Sequence, residues 1–140
     1  MRIRKLLSAA AVAGTVLTAG LATAGTASAG TLGDCQGWTP AAVCLYYNSS
    51  SNSYGAVYHQ QSSISDYSSV TFTEGAWGNA GAGTVVKNHA AAVDSYYGGT
   101  FTVYYNSGYN CSYACQNVPA YGTANLNSTM KNNNASGRFR

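Results

Sequence analysis

Four cysteines, Cys35, Cys44, Cys111 and Cys115, all lie downstream of an N-terminal stretch that reads as an export signal. Together these two features restrict the fold more than anything else in the chain. Arg2, Arg4 and Lys5 form a positive start, residues 6–24 are apolar and small, and Ala27-Ser28-Ala29 is an A-x-A cleavage site. Cleavage is expected before Gly30, so residues 1–29 are a signal peptide and residues 30–140 are one secreted, extracellular domain. An even cysteine count in a small exported domain reads as a disulfide framework. Cys35–Cys44 and Cys111–Cys115 are the favoured pairs, because each is local and the two lie far apart. Zinc is the rival reading, but neither spacing is a CxxC knuckle and no histidine sits nearby. On the chain-entropy account each short bridge contributes roughly 2–3 kcal/mol.

Signal removal also changes the electrostatics. The whole chain carries a formal charge of +3. Past residue 29, Lys87, Lys131, Arg138 and Arg140 balance Asp34, Asp66, Glu74 and Asp94, so the mature domain is near neutral. Nucleic acids and anionic membranes require a clustered basic patch, which this pattern lacks. Once the signal is cleaved, no membrane association is expected.

Apolar residues do not recur with helical spacing. Short β-rich runs, separated by Gly, Ser and Asn, predict strands over residues 43–47, 56–59, 70–73, 84–87, 92–96 and 100–105. Residues 75–83, glycine-rich around Trp77, read as a loop. Strand signals weaken after Cys115. Leu45-Tyr46-Tyr47-Asn48-Ser49 matches Val103-Tyr104-Tyr105-Asn106-Ser107, and Asn88-His89-Ala90-Ala91 aligns with Asn133-Asn134-Ala135-Ser136. Two matches in the same order predict two similar β units on one core, as a sandwich or Greek key.

The chemistry on offer is sparse. His59 and His89 have no HExxH, GxSxG or neighbouring carboxylate pair around them, so the chain does not read as an enzyme. Tyr46, Tyr47, Tyr104 and Tyr105 read as strand residues, while Tyr109 and Tyr113 read as exposed. The run at 132–136 offers only neutral amides to calcium and reads as a turn into the last strand. No cofactor or metal is implied. Asn110-Cys111-Ser112-Tyr113-Ala114-Cys115-Gln116 is the strongest local candidate. A disulfide across so few residues makes a rigid loop, and rigidity lowers the ordering cost of binding.

The order of these features resembles the Streptomyces metalloproteinase inhibitor family. The carrying residues are Val43-Cys44-Leu45-Tyr46 after the first Cys pair, the glycine-rich middle, Gly99-Thr100-Phe101-Thr102-Val103-Tyr104-Tyr105 and the short Cys111–Cys115 loop. The resemblance implies an all-β, βγ-crystallin-like Greek-key sandwich of two units with both local disulfides. It implies an inhibitory loop of Cys111, Ser112, Tyr113 and Ala114, with the reactive bond between Cys111 and Ser112. It also implies an extracellular zinc metallopeptidase as partner and a monomeric inhibitor. Two departures stand out. The loop holds three residues between its cysteines, one fewer than the family pattern, and Ser112 replaces the larger apolar residue suited to a thermolysin-like pocket. The alternative is an extracellular crystallin-like structural or binding module, recognising a glycan or cell surface or acting as a toxin.

Overall fold

The structure is a computed structural model that describes residues 33–140. The expected signal peptide and its cleavage before Gly30 lie outside the described residues. Among the described residues, seven strands form two antiparallel sheets. In the first, β1 (Val43–Tyr46), β2 (Val57–Gln60), β3 (Ala92–Ser95) and β6 (Thr123–Asn125) run in the order β2-β1-β3-β6. In the second, β4 (Phe101–Asn106), β5 (Asn110–Val118) and β7 (Ser136–Phe139) run in the order β5-β4-β7.

Two units exchange their third segments. β6 follows β5 in sequence yet pairs with β3, placing Thr123 opposite Asp94 and Asn125 opposite Ala92. The reciprocal element of the first unit is a single bridge, in which Ile64 and Gly137 exchange backbone hydrogen bonds of 2.9 and 3.0 Å at the edge of β7. The last strand of each unit returns beside its first, β3 beside β1 and β7 beside β4. That is a Greek-key path, and the expected all-β, two-unit Greek-key sandwich is the architecture found.

β1 is buried along its whole length because both faces of its sheet are covered. Val43 and Leu45 point into the main core with Val93, Phe101, Val103, Val118 and Met130. Cys44 and Tyr46 alternate to the other side, where Cys35, Ala42, Val57 and Ala92 form a smaller cluster. A strand buried on both faces shows no polar alternation, so Val-Cys-Leu-Tyr reads as a continuous apolar run. Both local disulfides are formed, with Cα–Cα distances of 5.8 Å for Cys35–Cys44 and 5.2 Å for Cys111–Cys115. The first ties the N-terminal turn onto the outer face of β1.

Three features differ from the sequence reading. Residues 70–73 and 84–87 are extended but join no sheet ladder. They pair only with each other and with β2, through isolated bridges at Thr71–Val85 and Val57–Thr73. Their inward side chains, Phe72 and Val86, still enter the core, which is why they carry a strand-like pattern. Second, β5, β6 and β7 all extend beyond Cys115, where polar composition hides them. Third, the second repeat is shifted by one residue. Tyr46 pairs with Ala92 and Tyr104 with Ser136, so Ala92 is the counterpart of Ser136. Lys87-Asn88 therefore corresponds to Lys131-Asn132, and Asn88 does not match Asn133. Backbone pairing sets this register, and a side-chain match in an Asn-rich segment can slip by one.

Candidate functional site

The Cys111–Cys115 segment is not the tip of a hairpin. The β4–β5 turn is made by residues 107–109, and the disulfide lies within β5. Tyr104 pairs with Cys115 and Asn106 with Asn110, so Tyr105 alone faces Cys111, Ser112, Tyr113 and Ala114. The surplus residues must leave the ladder, as in a large β-bulge, and the disulfide closes its base. β5 is an edge strand of its sheet. Cys111, Ser112 and Tyr113 are exposed, and Tyr113 is 70% exposed.

The bulge is held from inside. The Ser112 backbone N–H donates to Asn110 Oδ1 at 2.7 Å, an Asx-turn that fixes the amide after Cys111. The Tyr113 ring packs on Tyr105 with centroids 4.6 Å apart. Tyr109, expected to be exposed, is half-buried between the Tyr104 ring at 6.0 Å and the Arg138 guanidinium at 5.5 Å. Its positive φ of 60° turns the chain from β4 toward β5.

The histidines are tied to backbone oxygens. His59 Nε2 lies 2.9 Å from the Asp34 carbonyl, and because a carbonyl only accepts, that nitrogen carries the proton. Trp38 stacks on the His59 ring at 4.5 Å. His89 Nδ1 lies 2.8 Å from the Lys87 carbonyl and 3.0 Å from that of Val85. Neither ring is hydrogen-bonded to a serine or a carboxylate among the described residues.

Asp34 joins three segments that sequence order keeps apart. Its Oδ1 accepts the Ala76 N–H at 2.7 Å, while its carbonyl holds His59 of β2. Its carboxylate faces the buried Tyr46 hydroxyl. Burial, then the Asp34 and Asp94 carboxylates, push the Tyr46 phenol far above its ordinary range. Tyr54 packs between Tyr46 and Trp77, and Trp38 and Trp77 are each 43% exposed. No local sequence pattern announced this cluster, because its parts come from three separate segments.

No protein-family model matches the sequence, and no curated protein matches it. Solved structures are similar in fold. One, from work on the evolution of the eye lens βγ-crystallin domain fold, superposes with a TM-score of 0.51 at 11% identity, covering 79% of this chain and 93% of that one. A βγ-crystallin from Ciona intestinalis gives a TM-score of 0.47 at 11% identity, covering 71% of this chain and 99% of that one. The exchanged third segments and the first of these likenesses define the class, a βγ-crystallin-like Greek-key domain. At such identity the likeness is one of fold alone, so the resemblance to metalloproteinase inhibitors is supported only as far as the fold. The two disulfides, and the absence among the described residues of any helix able to cross a membrane, are compatible with an extracellular protein.

Proposed function

We propose that this chain is a secreted peptidase inhibitor that offers the Cys111–Cys115 bulge to a peptidase cleft as a substrate-like segment. The observation that carries this reading is an exposed, disulfide-closed bulge on a free sheet edge. Peptidases bind extended backbone, and an edge strand presents unpaired N–H and C=O groups for such pairing. Cys111 sits before the attacked bond and Ser112 after it, with the Cys111 carbonyl facing the catalytic zinc of a metallopeptidase.

Inhibition follows from the closed ring. Hydrolysis between Cys111 and Ser112 would leave a carboxylate and an ammonium that the disulfide still holds together. The fragments stay at high effective concentration, so resynthesis competes with release. Asn110 already fixes the Ser112 amide, which lowers the ordering cost of docking.

The test is a titration of the disulfide-formed protein against a thermolysin-like metallopeptidase, a subtilisin and a trypsin. Stoichiometric inhibition of one of them, lost on reduction of Cys111–Cys115, is the expected result. Ser112→Leu should strengthen inhibition of the thermolysin-like enzyme by filling its apolar pocket. A folded protein that inhibits none of the three would overturn the proposal and leave a crystallin-like binding module as the better reading.

A further inference from the structure

On the other side of the repeat lies a groove of about 440 Å³, lined by Tyr47, Asn48, Asn52, Asn88, His89, Lys131 and Asn132. That volume lies within the usual range for small-molecule sites, but the lining is polar. We propose that this groove binds acidic oligosaccharides, with Lys131 pairing a sugar carboxylate and the asparagine amides reading hydroxyls.

The groove has unused hydrogen-bonding capacity. Other asparagines of this protein are committed: Asn125, Asn127, Asn133 and Asn134 all bond through their side chains. Among the described residues, no side-chain hydrogen bond forms at Asn48, Asn52, Asn88 or Asn132. Each amide offers two donors and an acceptor, a match for the paired donor and acceptor character of sugar hydroxyls.

The groove is also preorganised. Asn88 and Asn132 hold left-handed backbones, with φ of 63° and 58°. Each turn is anchored to the opposite unit, Asn88 N–H to the Asn134 carbonyl at 2.7 Å and Asn132 N–H to the Ala90 carbonyl at 2.9 Å. Tyr47 is fixed as well, since Gly81, at φ 90°, lies so close over its ring that a Cβ there would collide with it.

Charge separates this groove from its counterpart in the other unit. Lys87 and Lys131 are counterparts and make the same cross-unit contact, Lys87 Nζ to Ser107 Oγ at 3.1 Å and Lys131 Nζ to Ser49 Oγ at 3.3 Å. Lys87 is neutralised by Asp66 at 3.1 Å. Among the described residues Lys131 has no such carboxylate, so its half-buried ammonium leaves the groove positive. At the equivalent position in the other unit, Tyr105 is covered by Tyr113 and Asn106 bonds Ser112. Only the Lys131 side is left open and charged. An ammonium with no carboxylate in the lining disfavours a metal ion and favours an anionic ligand.

The test uses the isotope-labelled, disulfide-formed protein in NMR titrations with trigalacturonate, neutral galactotriose, sodium acetate and calcium chloride. Trigalacturonate should shift the side-chain amides of Asn48, Asn52, Asn88 and Asn132 and saturate, binding at least about tenfold tighter than galactotriose. Lys131→Met should erase that preference. Asn88→Gly and Asn132→Gly, which keep the left-handed turns, should each weaken binding severalfold. Changes at Ser112 should leave sugar binding intact, so this proposal and the inhibitor reading fail separately. The inference is overturned if trigalacturonate gives no saturable shift, or if the shifts fall on residues 111–115. Equal binding of acetate, an unchanged preference in Lys131→Met, or calcium alone moving these amides would overturn it too.

Discussion

Asn88 and Asn132 are structural counterparts that lock the two units together reciprocally, each donating its backbone N–H to a carbonyl of the other unit's turn, at 2.7 and 2.9 Å. Both sit in the left-handed region, which Asn tolerates and β-branched residues do not. Asn88→Val and Asn132→Val should therefore each cost about 1–2 kcal/mol, whereas the glycine variants should stay near wild type. Urea denaturation midpoints decide the matter, and equal stability of valine and glycine variants would refute the strain argument.

Asn134 has no left-handed role but is wholly buried, and its amide bridges the units. Oδ1 accepts the Ala90 N–H at 2.9 Å, and Nδ2 donates to the Val86 carbonyl at 2.9 Å. Asn134→Ala strands a buried donor and a buried acceptor, for an expected loss of about 2–4 kcal/mol. Hydrogen exchange should show the segments around Val86 and Ala90 losing protection first.

The buried Tyr67 hydroxyl anchors a hydrogen-bond chain across the core. Tyr67 donates to Gln60 Oε1 at 2.6 Å, and Gln60 Nε2 donates onward to the Ser62 and Gly137 carbonyls at 2.8 and 3.1 Å. Tyr67→Phe leaves that oxygen unsatisfied and should cost about 1–3 kcal/mol. A thermal melt of Tyr67→Phe checks this, and a wild-type Tm would contradict the account.

The Asp66 carboxyl titrates below its ordinary value of 3.8, because the Ser68 N–H and the Lys87 ammonium favour the charged form. A depressed folded value means this group supports the fold above 3.8 and loses that support as the pH drops through the folded value. Asp66→Asn should flatten the acid limb of the Tm-against-pH curve by lowering the Tm at neutral pH while leaving it little changed at acid pH. An unaltered acid limb would show that other carboxylates govern it.

Gly137 lies in β7 where a Cβ would meet the Tyr67 hydroxyl and the Phe101 ring. Gly137→Ala should therefore cost about 1–3 kcal/mol through overpacking. Circular dichroism should show the same fold with a lower Tm, and wild-type stability would mean that the sandwich opens to admit the methyl.

Much of the architecture was legible in the sequence because it rests on local rules. Leu45-Tyr46-Tyr47-Asn48-Ser49 and its copy at residues 103–107 marked equivalent first strands, and cysteine proximity marked the two bridges. The arm around Phe72 and Val86 misled, because inward alternation is the same whether an extended segment joins a ladder or merely caps the core. β6 was invisible, since Thr-Ala-Asn is too short and polar to signal a strand. Only the exchange of third segments creates a place for it beside β3.

Near-neighbour patterns were enough to mark β1 to β4, the twofold repeat and the bridge between Cys111 and Cys115. Tertiary structure alone decided that the Cys111–Cys115 ring is a bulge on a sheet edge, because its surplus residues become visible only against β4. It alone decided that Lys131 and Lys87, similar in sequence, differ in charge environment. The reason is distance along the chain: Asp66 reaches Lys87 through the fold, no carboxylate among the described residues reaches Lys131, and no local pattern encodes either fact.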